Sequence, residues 1–167
     1  AAVELVSESG TLESSAVNAG GVAKLAGASG IKLASIRGGS VDATSSAGSV
    51  AVTGGVTSTT AGVKLDGRDG VTSGAIDAAT SAAVSAAQGA VTLANVAAKS
   101  GDLKIVGKNA VKTGDVAGNA AVELVSESGT LESSAVNAGG VAKLAGASGI
   151  KLASIRGGSV DATSSAG

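Results

Sequence analysis

The chain repeats its pattern about every twenty residues, and columns of aliphatic side chains carry the repeat. One column runs Val17, Ile36, Val56, Ile76, Val96, Val116, Val136 and Ile155, with successive intervals of 19, 20, 20, 20, 20, 20 and 19 residues. A second keeps step with it through Leu12, Ile31, Val50, Val71, Val91, Val111, Leu131 and Ile150. A third, looser in spacing, runs Val3, Val22, Val41, Val63, Val84, Leu103, Val122, Val141 and Val160. Turn formers precede the second column on each pass: Gly10, Gly30, Gly48, Gly70, Gly89, Asn109, Gly129 and Gly149. A fixed period in this range is the mark of a solenoid, whose repeats bury their apolar faces only against one another.

Within a repeat the grammar has a period of two. Val3 and Leu5 flank Glu4, which places both aliphatic groups on one face and the carboxylate on the other. Ile31-Lys32-Leu33, Val50-Ala51-Val52, Val63-Lys64-Leu65, Val91-Thr92-Leu93 and Leu103-Lys104-Ile105 alternate in the same way. These read as strands of about three to five residues, separated where Gly, Asn, Ser and Asp let the chain turn. Three such strands per period predict a three-sided coil, with successive coils paired in parallel about 4.8 Å apart. An offset of nineteen residues would set Glu4 beside Ala23 in the next coil and Asp42 one coil further on. A helical reading of the columns fails, because Gly recurs too often and β-branched residues are favoured. Ala78–Gln88 is the main exception: its alanines favour a short helix, while the register unbroken on either side favours a strand.

Composition agrees with a thin interior. Apolar residues make up 44% of the 167-residue chain, yet Phe, Tyr, Trp, Met, Cys, His and Pro are all absent. Aromatics normally supply much of the area buried in a compact globular core. Mean hydropathy of +0.40 and a net charge of −1 argue against an extended disordered chain. Without cysteine there is no disulfide framework and no thiol redox site. No apolar run approaches the roughly 20 residues that span a bilayer, so membrane insertion is not expected. No basic region followed by an apolar one opens the chain, and balanced charge gives no reason to expect nucleic acid as a partner.

Residues 120–167 repeat residues 1–48 without one change, an offset of 119 residues. That is six turns of the smaller repeat at about 19.8 residues each. The sequence stops at Gly167, partway through a turn, so residues 1–167 are expected to form a single solenoid segment of a longer fibre.

The runs VELVSESGTLESSAVNAGG, VAKLAGASGIKLASIRGG and AVTLANVAAKSGDLKIVGKNAVKTGDVAGN resemble the central repeats of filamentous haemagglutinin, the large adhesin of bacterial two-partner secretion. The resemblance covers essentially the whole chain and lies in the Val/Leu/Gly pattern rather than in any catalytic motif. It implies an all-β fold, a right-handed parallel β-helix of about eight coils, which the general preference for right-handed crossovers also favours. It also implies the shaft of a secreted, surface-exposed adhesin that attaches bacteria to host cells. Members of the family bind sulfated glycans and present an Arg-Gly-Asp triplet. The triplet is absent here, since Gly67-Arg68-Asp69-Gly70 has those residues in another order.

Little in the chain can hold enzyme chemistry. Lacking His and Cys, it offers no Ser-His-Asp or Cys-His arrangement and no usual zinc ligand set, and no cofactor is expected. Ser29 and Lys32, with their copies Ser148 and Lys151, match a Ser-x-x-Lys spacing but lack partner motifs. Asp66, Asp69 and Gly70 sketch a calcium loop in which Arg68 takes a ligand position, so a turn is the plainer reading. Thr53, Thr57, Thr59 and Thr60 cluster once without propagating along the columns, unlike the regular threonine ranks of ice-binding solenoids. Lys99, Lys104, Lys108 and Lys112 give one coil and its entry a basic bias that an anionic polymer could use. They are the candidate glycan-binding residues, set against the ordinary reading of lysines as a solvated face. Two functions follow: a structural shaft whose partners are further coils of the same fibre, or a module that recognises a sulfated polysaccharide on the host cell surface.

Overall fold

The computed structural model describes residues 1–166; Gly167 lies outside the described residues. Every regular element among the described residues is a strand, and they wind as follows. Coil 1 holds β1 (Val3–Ser7) and β2 (Thr11–Asn18), and coil 2 holds β3 (Val22–Gly27) and β4 (Gly30–Gly38). Coil 3 holds β5 (Ser40–Ser45), β6 (Ser49–Val52) and β7 (Val56–Ser58); coil 4 holds β8 (Val63–Gly67), β9 (Gly70–Ser73) and β10 (Ile76–Ala78). Coil 5 holds β11 (Ala82–Ala86), β12 (Ala90–Leu93) and β13 (Val96–Ala98). Coil 6 holds β14 (Leu103–Gly107) and β15 (Val111–Gly118), and coil 7 holds β16 (Val122–Ser126) and β17 (Leu131–Ala138). Coil 8 holds β18 (Val141–Gly146) and β19 (Ile150–Arg156), and β20 (Ser159–Ser164) opens a ninth.

All pairings are parallel and join each coil to the next, so the chain is a parallel β-solenoid of about eight coils. Its first side is a sheet of nine strands, β1-β3-β5-β8-β11-β14-β16-β18-β20. The remaining strands form one ladder that wraps a corner and supplies two sides. In coils 3 to 5 these sides are separate short strands, as the sequence predicts. Elsewhere they run on as single bent strands of seven to nine residues. Thus β4 pairs with β6 through Ile31-Lys32-Leu33 and with β7 through Ile36-Arg37-Gly38. In those five coils the expected three strands are therefore two, the second covering two sides.

The first two columns stack as read from the sequence. Val17, Ile36, Val56, Ile76, Val96, Val116, Val136 and Ile155 are successive partners, and so are the residues from Leu12 to Ile150. The third column needs correction. Its members on the first side are Val3, Ala23, Val41, Val63, Ala82, Leu103, Val122, Ala142 and Val160. Val22 and Val141 face outward, 47% and 48% exposed, and Val84 stands two positions along, between Leu65 and Ile105. The physical cause is the corner entering the first side, whose length varies most: Ile36 to Val41 spans 5 residues and Val56 to Val63 spans 7. Three alanines hold the column where a search for Val, Ile and Leu passes over them. For the same reason Glu4 pairs with Lys24, not with Ala23, whose side chain is buried against the core.

Ala78–Gln88 contains no helix. Its centre is β11, with Ala82, Val84 and Ala86 buried and paired to both neighbours. An isolated helix would forfeit these inter-coil bonds, and they outweigh alanine's preference. The core is one continuous aliphatic stack in which Leu25, Ile31, Leu65, Ile105, Leu124 and Leu144 are almost wholly buried.

Candidate functional site

The outward positions carry the chemistry of this surface, and the register fixes who meets whom. On the first side the column centred on Glu4 continues as Lys24, Asp42, Lys64, Ala83, Lys104, Glu123, Lys143 and Asp161. On the second side the corresponding column is Glu13, Lys32, Ala51, Thr72, Thr92, Lys112, Glu132 and Lys151. In both, carboxylates stand on odd coils and lysines on even coils. Side chains directly opposite in neighbouring strands are close enough that unlike charges attract and like charges repel. The alternation therefore yields a chain of ion pairs along the rod.

Six of the ion pairs follow this rule. Lys24–Glu4 (2.9 Å) and Lys32–Glu13 (3.4 Å) join coil 1 to coil 2, and Lys64–Asp42 (4.0 Å) joins coil 3 to coil 4. Lys104–Glu123 (3.3 Å), Lys108–Glu127 (2.9 Å) and Lys151–Glu132 (3.1 Å) link coils 6 to 8. The Glu4 carboxylate, through its hydrogen bond and then its charge, holds the Lys24 ammonium above the ordinary lysine value of 10.5. Exposed pairs of this kind add little stability one by one. Their consequence is selectivity of register, because a shift by one coil brings like charges face to face.

The corner between the first and second sides alternates with the same parity. Its stacked residues are Ser7, Gly27, Ser45, Gly67, Ala86, Gly107, Ser126, Gly146 and Ser164. In even coils a Cβ on Gly27, Gly67 or Gly146 would overlap the carbonyl of Gly30, Gly70 or Gly149, and those three residues have positive φ. In odd coils other than coil 5, whose corner residue is Ala86, a serine stands there and has room to bond: Ser45 Oγ accepts from the Gly48 amide at 3.2 Å, and Ser126 Oγ donates to the Asn109 carbonyl at 3.1 Å. The turn glycines thus belong to two rungs rather than one column. The true structural unit is a pair of coils.

The four candidate lysines sit within this scheme. Lys104 lies on β14, Lys108 on the next corner, Lys112 on β15 and Lys99 on the turn after β13, so they are spread around the rod rather than gathered on one face. Lys104 and Lys108 pair with coil 7. Lys99 reaches back to Asp77, bridging both carboxylate oxygens at 2.9 and 3.0 Å, and is the exception to the parity rule. Lys112 stands between Thr92 and Glu132 in register and makes no ion pair among the described residues.

The remaining motifs are also absorbed by stacking. Ser29 Oγ donates to the Ser9 carbonyl while Lys32 faces Glu13, and Ser148 and Lys151 repeat the arrangement with Ser128 and Glu132. Thr59 and Thr60 hydroxyls donate to the carbonyls of Gly38 and Gly39 in the preceding coil. Asp66 and Asp69 join no group of three or more acidic residues among the described residues. What sequence reasoning missed is the acidic half of the pattern, Glu4, Glu8, Glu13 and their copies Glu123, Glu127 and Glu132. Glu13 and Glu132 stand one residue beyond the second aliphatic column and could be traced with it, whereas Glu4, Glu8, Glu123 and Glu127 lie on the side and corner where the columns slip. Comparison with protein-family models, with curated proteins and with solved structures finds no match to the chain.

Proposed function

We propose that the chain is part of the shaft of a secreted bacterial adhesin, a stiff spacer at the cell surface that carries binding regions outward and so serves attachment to host cells. The observation that supports this reading is the continuity of the first-side sheet from β1 to β20, with outward charges answered from coil to coil. At about 4.8 Å per coil, eight coils give a rod about 40 Å long. A ligand groove for a linear glycan needs its cations along one face, and these lysines circle the rod instead.

The test is a heparin column at low salt, together with microspheres coated with the chain and offered to host cells. A shaft flows through the column, and its spheres adhere no better than bare ones. Retention and adhesion that both disappear in the triple variant Lys104→Gln, Lys108→Gln, Lys112→Gln would overturn the reading and make the chain a glycan-binding module.

A further inference from the structure

We infer that two copies of the rod pair side by side through their first sides, running antiparallel, with odd coils of one facing even coils of the other. The contact lies on the flank of the rod and involves no free strand edge, so it holds for a shaft and for a glycan-binding module alike. Val6, Val22 and Val141 point outward from the first-side sheet and are 57%, 47% and 48% exposed. Val106 and Val125 stand in the same outward column as Val6. Aliphatic groups gathered on one exposed face mark an interaction surface.

Charge selects the partner and its direction. The outward column from Glu4 to Asp161 alternates in sign coil by coil, with one gap at Ala83 in coil 5. A two-fold axis crossing the rod between coils 4 and 5 turns one copy end for end. It sets coil 1 against coil 8 of the second copy, coil 2 against coil 7 and coil 3 against coil 6. Glu4 then faces Lys143 of the second copy, Lys24 faces its Glu123, and Asp42 faces its Lys104. Lys64 lies over Ala83, the one position in the column without a charge. Lys143 makes no ion pair within the chain among the described residues, and this contact supplies one. The neighbouring columns agree with the same axis. Val6 meets Ala145, Ala26 meets Val125, and Val22 meets Ala121, while the Ser85 hydroxyl faces the Asp66 carboxylate as a donor.

Other arrangements fit less well. Without the stagger of one coil, Glu4 would meet Asp161 and Lys24 would meet Lys143. The opposite stagger would set the Asp66 carboxylate against Val125, and parallel rods would leave the charges of coils 1 to 3 facing Val6, Ala26 and Thr44. At about 4.8 Å per coil and about 3.3 Å per residue, two such faces bury about 1,200 Å² in all, the lower end of the range for specific interfaces.

The test is sedimentation velocity on the full chain over a range of concentrations, with crosslinking to read direction. Expected is reversible dimerisation that weakens about tenfold between about 0.1 M and about 1 M salt, as the Debye length falls from about 10 Å to about 3 Å. Val22→Asp with Val141→Asp should abolish the dimer by placing charges in the contact, while far-UV circular dichroism stays unchanged, since both side chains are exposed in the single rod. For direction, Lys24→Cys with Glu123→Cys is treated with a bismaleimide spanning about 10 Å, the separation of sheets packed face to face. These sites lie five coils, about 24 Å, apart in one rod, so only two rods can be joined. The double variant should link, and neither single variant should. A chain that stays monomeric up to its solubility limit would overturn the inference, as would a dimer strengthened by salt, which sets like charges face to face. Dimers indifferent to the two valine changes would be joined elsewhere, and linkage in the single variants would mean parallel rods; either result also sinks it.

Discussion

The identical blocks 1–48 and 120–167 make this chain its own control at the level of single residues. Gly10 and Gly129 share their sequence surroundings, but a Cβ on Gly129 would fall on the Asn109 carbonyl, while one on Gly10 would meet only Ser7 Oγ at an ordinary 3.6 Å. Gly129→Ala is expected to destabilise the chain by more than about 2 kcal/mol and Gly10→Ala by under about 0.5 kcal/mol, measured by urea unfolding. The same comparison applies to the core. Leu124 is fully buried between Ile105 and Leu144, so Leu124→Ala is expected to cost about 2–5 kcal/mol. Leu5 has a coil on one side only, and Leu5→Ala should cost less than half as much. Equal losses in either pair would mean that neighbouring coils do not set the local environment.

For the strands, register is the quantity at stake, since a slip of one residue exchanges the core face for the solvent face. The spacing rule put Glu4 next to Ala23, whereas β1 and β3 pair it with Lys24. Oxidation of Glu4→Cys with Lys24→Cys should therefore form a disulfide, both side chains being outward on strands about 4.8 Å apart. Glu4→Cys with Ala23→Cys should not, because their side chains leave opposite faces of the sheet. A bond in the second pair alone, read by gel mobility under non-reducing conditions, would restore the nineteen-residue register. The alternating corners show why the sequence columns held for two sides and slipped on the third. Corners built on Ser-x-x-Gly or Gly-x-x-Gly, except those at Ala86 and Gly107-x-x-Ala110, lead into the second side with a regular alternation of length, but the corner after the third side varies irregularly and carries no aliphatic marker.

Across the whole molecule, stability is shared between neighbours, as in any repeat array. Coils with a partner on both faces are the last to open, so amide exchange should be slowest in β8, β11 and β14 and fastest in β1 and β20. Uniform exchange along the rod would contradict a stack held by nearest neighbours. Salt acts at this scale as well. The Debye length falls from about 10 Å at 0.1 M to about 3 Å at 1 M, which screens an exposed ladder whose pairs are spread over coils 1 to 8. The thermal midpoint should drop modestly on that change, and a variant with the even-coil lysines replaced by Gln should lose most of the dependence.

The sequence by itself determined that this chain is a parallel β-solenoid with a thin aliphatic interior, because period, alternation and turn residues are local properties that agree in every repeat. It also determined two of the three columns, where the spacing of large β-branched residues equals the length of the coil. Only the tertiary structure decided the third column, where alanines stand in for larger residues. Only the stacking, likewise, showed that Lys104 and Lys108 pair with Glu123 and Glu127 in the next coil. The reason in each case is that a charge or a small residue has no periodic signature of its own. Its meaning comes from the residue a coil away, and that neighbour is fixed only once every corner has taken its length.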